Sequence, residues 1–225
     1  MKIKLLVAAA ATVVASSAMA QSAFEGAYGQ LGVGFDNNTV SSSNATVTGF
    51  GTLSTPSGSG GSFASTVAVG YNYAINNQFL LGIGADYGFI DSQKFNGSNA
   101  VFGQTGFTVS NRYNIFVTPG YAIDKDKLAY IKVGYSSQTV KVTDQASDSN
   151  TQGQTVAQGS ANGYVLGLGY KQIISGGFYG FGEANYYDYG GLSSSSKTLS
   201  NGVVVSGYSP KSNAYQFLVG IGYKF

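Results

Sequence analysis

Along most of this chain, large apolar residues alternate one by one with small or polar ones, the period-two pattern of a strand with two unlike faces. In "AYGQLGVGF", Ala27, Leu31, Val33 and Phe35 share one face, and Tyr28, Gln30, Gly32 and Gly34 the other. "TVAVGYNYAI" sets Val67, Val69, Tyr71, Tyr73 and Ile75 against Ala68, Gly70, Asn72 and Ala74. "FLLGIGADYGF" sets Phe79, Leu81, Ile83, Ala85, Tyr87 and Phe89 against Gly82, Gly84, Asp86 and Gly88. "VSNRYNIFVTPGYAI", "LAYIKVGY" and "GYVLGLGYK" repeat the pattern, with Arg112, Lys132 and Lys171 on their less apolar faces. "FYGFGEANYY" alternates least clearly, with Phe181, Glu183 and Asn185 opposite Gly182, Ala184 and Tyr186. "NAYQFLVGIGYKF" places Tyr215, Phe217, Val219, Ile221, Tyr223 and Phe225 on a single face. Eight strands are predicted.

The connectors are of two kinds, and they alternate. "NNQ", "DKDK" and "SGG" are tight hairpin turns. Four others, at 36–62, 91–107, 136–161 and 190–213, are long and rich in Ser, Asn, Gly and Thr. Short turns at one end and long loops at the other are the outer-membrane pattern. The predicted fold is all-β: an eight-stranded antiparallel up-and-down transmembrane β-barrel with short periplasmic turns and long extracellular loops.

A distance supports the membrane. Large aromatics recur eight residues apart on the apolar faces, at Phe79 and Tyr87, Tyr113 and Tyr121, and Tyr215 and Tyr223. Eight residues of tilted strand at ~3.3 Å each climb about 20 Å, close to the ~25 Å between the two aromatic girdles of such a barrel. The rival, a soluble lipocalin-type barrel with its apolar faces inward, would expose mainly Gly, Ala, Asn and a few charges. Glycine suits the cramped interior of an eight-stranded barrel better.

The opening "MKIKLLVAAAATVVASSAMAQ" changes the bookkeeping. Lys2 and Lys4, a short apolar core, and Ala18-Met19-Ala20 arrive in the order of a secretory leader, so cleavage is expected between Ala20 and Gln21. The expected division is a leader at 1–20 and one barrel domain at 21–225. The chain has 12 Lys+Arg against 10 Asp+Glu, so losing Lys2 and Lys4 brings the charges level, with no hint of a nucleic-acid partner. Cysteine and histidine are absent, so neither disulfides nor histidine-assisted catalysis is expected.

Four charges fall on faces that the barrel would turn inward: Asp86, Arg112, Lys132 and Glu183. Lys132 lies five residues past Lys127 and Glu183 six past Gly177, similar heights above the short turns. Unpaired charges in a narrow interior are costly, so a lumenal network is expected, centred on a Lys132–Glu183 pair with Tyr130, Phe116 and Phe181 closing the bore. A proton or ion path is the functional alternative. "DQASDSN" at 144–150 has acidic spacing but lacks the glycine and terminal glutamate of a calcium loop, so no metal or other cofactor is expected. Pro119 suggests a bulge near the periplasmic rim. The long loops, poor in anchoring residues, read as mobile, with no preformed pocket.

At "TPGYAIDKDKLAYIKVGYS", "YVLGLGY", "NYYDYG" and "GIGYKF" the sequence resembles the small eight-stranded outer-membrane barrels of the OmpA transmembrane-domain, OmpX and opacity-protein-like group. The resemblance implies insertion among outer-membrane lipid and lipopolysaccharide, a monomer, and a lumen closed by a charged network. It also implies that Tyr223 and Phe225 are read by the outer-membrane assembly machinery, and that the periplasmic peptidoglycan-binding domain of some relatives is lacking. The expected function is non-enzymatic: surface interaction or adhesion to a host or surface ligand through the loops, or an envelope structural role. The alternative is a narrow porin-like pore for small solutes or ions.

Overall fold

A computed structural model describes residues 23–89, 93–146 and 150–225. The expected leader at 1–20, with Ala18 and Ala20, and the residue after it, Gln21, lie outside them, as do residues 147–149 of the acidic loop. The strands in chain order are β1 (Gly26–Val40), β2 (Asn44–Val47), β3 (Gly51–Ser54), β4 (Gly58–Ala74), β5 (Phe79–Gly88), β6 (Gln93–Asn99) and β7 (Gly103–Asp124). They continue with β8 (Lys127–Asp144), β9 (Thr155–Ser175), β10 (Phe178–Tyr189), β11 (Ser193–Ser194), β12 (Lys197–Thr198), β13 (Val204–Ser206) and β14 (Ser212–Lys224).

Eight of these close a ring in the order β1-β14-β10-β9-β8-β7-β5-β4, and β4 pairs back onto β1. Val33 is matched by Val219 on one side and by Ser65 on the other, so the first strand has no free edge. Closure satisfies the backbone within the wall, which is what hydrocarbon requires of a β-structure. Among the described residues no helix is long and apolar enough to cross a membrane, and the crossing is made by strands.

The alternation sorts as the membrane demands. Leu31, Leu168 and Val219 point outward, exposed at 54%, 66% and 63%, whereas Tyr28, Lys132 and Glu183 point inward and are buried. Such an apolar belt would be a liability in water and is the rule in lipid. Rings gather at both rims. Phe79–Tyr121 and Phe178–Tyr223 lie 5.4 and 4.8 Å apart at the short-turn end, and Tyr186–Tyr215 5.0 Å apart at the loop end. Phe225 packs 5.1 Å from Tyr223, and its N–H donates to the Ala27 carbonyl across the closing seam.

The short turns are made by local side-chain bonds. Asn76 Oδ1 accepts from the N–H groups of Gln78 and Phe79, and Asp124 Oδ1 accepts from Asp126 N–H. Asp124 also pairs with Lys127 at 2.7 Å, and that contact holds its carboxyl below the usual range. Pro119 needs no bulge. It is matched with Leu81, and the register between β7 and β8 is the same on either side of it, so the ladder absorbs one missing donor.

Lumenal glycines make room for rings from the neighbouring strand. A Cβ on Gly169 would stand 2.1 Å from Tyr130 Cζ, and one on Gly222 2.3 Å from Tyr179 Cζ. Gly169→Val is therefore expected to destabilise by about 1–3 kcal/mol through overpacking. Urea unfolding followed by far-UV circular dichroism measures it, and an unchanged midpoint would mean Tyr130 moves aside freely.

The long connectors depart from the expectation of mobile loops. β7, β8 and β9 run on past the barrel, β6 pairs with β7, and β2, β3, β12 and β13 form a separate four-stranded sheet. In that sheet the first and last long connectors meet, Val47 opposite Val205. Val40, Phe107, Val140, Val142, Leu192 and Val205 are among the buried residues of one apolar cluster beneath it. The extracellular end is a folded cap.

Candidate functional site

The inward residues of β8, read upward from its turn, cross the lumen layer by layer. Leu128 and Tyr130 pack with Phe24, Leu80 and Ala122 as an apolar floor at the short-turn end. Above it the Lys171 ammonium lies 3.9 Å from the centroid of the Tyr28 ring, 5.0 Å from Tyr179 and 5.3 Å from Tyr130. A cation among ring faces recovers part of its lost hydration.

Lys132 defines the next layer. Its Nζ donates to Asp86 Oδ2 at 2.7 Å and to Glu183 Oε1 at 2.8 Å, and it stands 4.3 Å from the Phe116 centroid. Glu183 also accepts from the Tyr130 hydroxyl and from the Asn185 amide, and Asp86 accepts from the Asn114 amide. The structure thus brings three of the four sequence-singled charges together as one acid–base–acid cluster.

The fourth, Arg112, belongs to a separate layer. Its guanidinium pairs with Asp36, donates to Asn38 and Gln138, and lies 4.4 Å from the Tyr187 ring. It points inward by the parity it shares with Asn114 and Phe116, and a bulge lies directly above it. The register between β7 and β8 shifts between Ser110 and Tyr113, and Asn111 takes a φ of 52°, which Asn tolerates better than most residues. Below the bulge the even-numbered Arg112, Asn114 and Phe116 face in, and above it the odd-numbered Phe107 and Val109 do.

Sequence reasoning missed two members. Asp36 was assigned to the first long connector, yet it sits on β1, buried, because that strand continues well past Phe35. Lys171 already lay on the inward face by parity, so the signal was present. With both included, the buried ionisable groups of the lumen among the described residues are three acids (Asp36, Asp86, Glu183) and three bases (Arg112, Lys132, Lys171), of which Lys171 is surrounded by rings and makes no ion pair.

The cap carries a cavity of about 510 Å³, lined mainly by apolar residues of β2, the 100–103 turn, β8, β9 and β13. Tyr208 lines it and is buried at 5% exposure. Burial pushes its phenol up to about 12, offset slightly by nearby Thr55, but its hydroxyl makes no hydrogen bond of normal geometry.

The family profile described as outer membrane protein beta-barrel domain matches residues 6–225. Among solved structures, the outer membrane protease OmpT of Escherichia coli is 8% identical, with 93% of this chain and 100% of that chain aligned and a TM-score of 0.51. The outer membrane protein OprG of Pseudomonas aeruginosa is 12% identical over 89% of this chain and 96% of that one, with a TM-score of 0.50. The attachment invasion locus protein Ail of Yersinia pestis is 15% identical over 89% and 99%, with a TM-score of 0.44. At such identities the likeness is one of fold. No curated protein sequence is significantly similar. With its ring of eight strands, lipid-facing belt and profile match over nearly the whole length, the chain belongs to the outer membrane protein beta-barrel domain family and is a bacterial outer-membrane barrel.

Proposed function

We propose that this protein is a non-catalytic, non-conducting barrel that holds a folded extracellular cap at the cell surface for interaction with an external ligand. The observation that carries the reading is the Lys132 cluster: one ammonium ties β5 to β10 across the bore, with the apolar floor below it and the Arg112 layer above. Ions would have to displace each layer in turn. The three lumenal acids are spent on Arg112 and Lys132 instead of standing beside a nucleophile. Tyr223 and Phe225, outward at the periplasmic rim, are the residues we assign to recognition during assembly, and we take the working unit to be a monomer among outer-membrane lipid and lipopolysaccharide.

Planar-bilayer recording tests the reading. The wild-type protein is expected to give no steady conductance. Large, stable channels would put the narrow solute pore first, a reading supported by the polar character of the lumen.

A further inference from the structure

The cap cavity has the size and lining of a ligand site. Its volume, about 510 Å³, falls within the ~300–1,000 Å³ usual for small-molecule pockets. Ala45, Val47, Phe102, Val142, Val156 and Val203 make its wall apolar. Phe50 and Val101 also line it, yet are 72% and 61% exposed, which marks them as the mouth and the cavity as open to the outside. Against this wall stands one buried group without a hydrogen bond of normal geometry, the Tyr208 hydroxyl, with Thr55 its nearest polar influence. Buried hydroxyls are ordinarily satisfied, and one left unmatched beside an accessible cavity lacks the acceptor that would complete it.

The lining also sets the charge of an occupant. Among the described residues that line the cavity there is no lysine or arginine, and the single charged group is Asp144. Asp144 is already occupied, accepting from Thr151 Oγ1 and Ala146 N–H. An anion would meet that carboxylate with no counter-ion to offset it, and a cation would have to leave water for a mostly apolar wall.

We infer that the cap cavity binds a small neutral amphiphile, with an apolar body filling the space between β2, β8, β9 and β13 and one acceptor oxygen taking the Tyr208 hydroxyl. The inference rests on reading the cap as an extracellular binding element, and it supplies the ligand class. Tyr208 acts as the anchor that sets the ligand's depth and orientation, and Phe50 and Val101 cover the bound molecule from the solvent side.

The chain has no tryptophan, so a single introduced one reports locally. Val101→Trp at the mouth, in the full-length protein held in lipid nanodiscs, is titrated with 4-bromobenzophenone, a neutral probe with one carbonyl and a heavy-atom quencher. Leu168→Trp on the lipid face serves as the control for partition into the bilayer. Saturable quenching is expected at Val101→Trp and linear quenching at Leu168→Trp. Adding Tyr208→Phe should weaken the saturable phase about five- to tenfold, as loss of one hydrogen bond does. It should also leave the unfolding midpoint unchanged or raised, because it removes an unsatisfied group. Linear quenching at both positions would overturn the site. Saturable quenching indifferent to Tyr208→Phe would overturn the anchor and with it the assigned ligand class. Steady channels in bilayers alongside saturable, Tyr208-dependent quenching would remove the closed barrel but support the site.

Discussion

Lys132→Met is expected to be among the most damaging single substitutions in the barrel, costing about 5 kcal/mol. Removing one partner of a buried ion pair costs about 3–5 kcal/mol, because the remaining charge stays buried without compensation. Here a single ammonium serves two carboxylates, Asp86 and Glu183, and its side chain is only 3% exposed. Its loss leaves two buried like charges facing each other. Glu183→Gln should be milder, about 1–3 kcal/mol, since Lys132 keeps Asp86 and a neutral amide still meets Tyr130 and Asn185. The triple change Asp86→Asn, Lys132→Met, Glu183→Gln should recover most of the loss, a non-additivity that only coupled sites show. Urea unfolding in lipid vesicles, followed by circular dichroism, measures all three. If the triple variant were no better than Lys132→Met, the lysine would contribute shape and not charge pairing.

Deleting Asn111 is expected to cost about 3 kcal/mol or more, although the side chain itself is exposed, accepting from the Tyr87 hydroxyl at 3.1 Å and donating to Ser110 Oγ at 3.5 Å. The deletion removes the extra residue that switches β7 from odd to even inward positions, and a shift of one residue turns every side chain on one side of it to the opposite face. If the upper half keeps its place, Arg112 turns toward lipid, a cost of up to ~2–4 kcal/mol by depth, and Asp36 loses its counter-ion. If the lower half keeps its place, Phe107 and Val109 leave the cap cluster, each worth about 1.5–3 kcal/mol of burial. Asn111→Gly should be nearly neutral, because glycine adopts positive φ freely. Unheated-gel mobility and the urea midpoint check both variants. A deletion as stable as the wild type would mean that the bulge does not hold the register.

The barrel was legible because its physics is local. Each strand must turn large apolar groups to lipid and small or polar ones to a narrow bore, so alternate residues such as Val219 and Gly220, or Ile131 and Lys132, announce their faces within a few positions. Parity placed Asp86, Lys132 and Glu183 inside for the same reason. It places Lys171 inside as well, a buried base beyond the four charges expected to form the network. Asp36 was hidden because it follows Phe35 at the point where apolar alternation stops, and a strand above the membrane no longer needs large outward side chains to continue.

Which inward groups meet is a matter of stagger around the closed ring, and stagger is set only when β1 pairs with both β14 and β4. That is why Lys132 reaches Asp86 as well as Glu183, and why Arg112 finds Asp36, 76 residues away along the chain. The cap lay further still from a sequence reading. Segments such as Asn44–Val47 and Val204–Ser206 are too short to form strands alone, and they hold that form by pairing with each other over a shared apolar cluster. Strand number, facing and membrane residence follow from side-chain periodicity along one strand. The charge pairs and the cap cavity exist only once distant strands are brought together, because their energies depend on contacts that no local window contains.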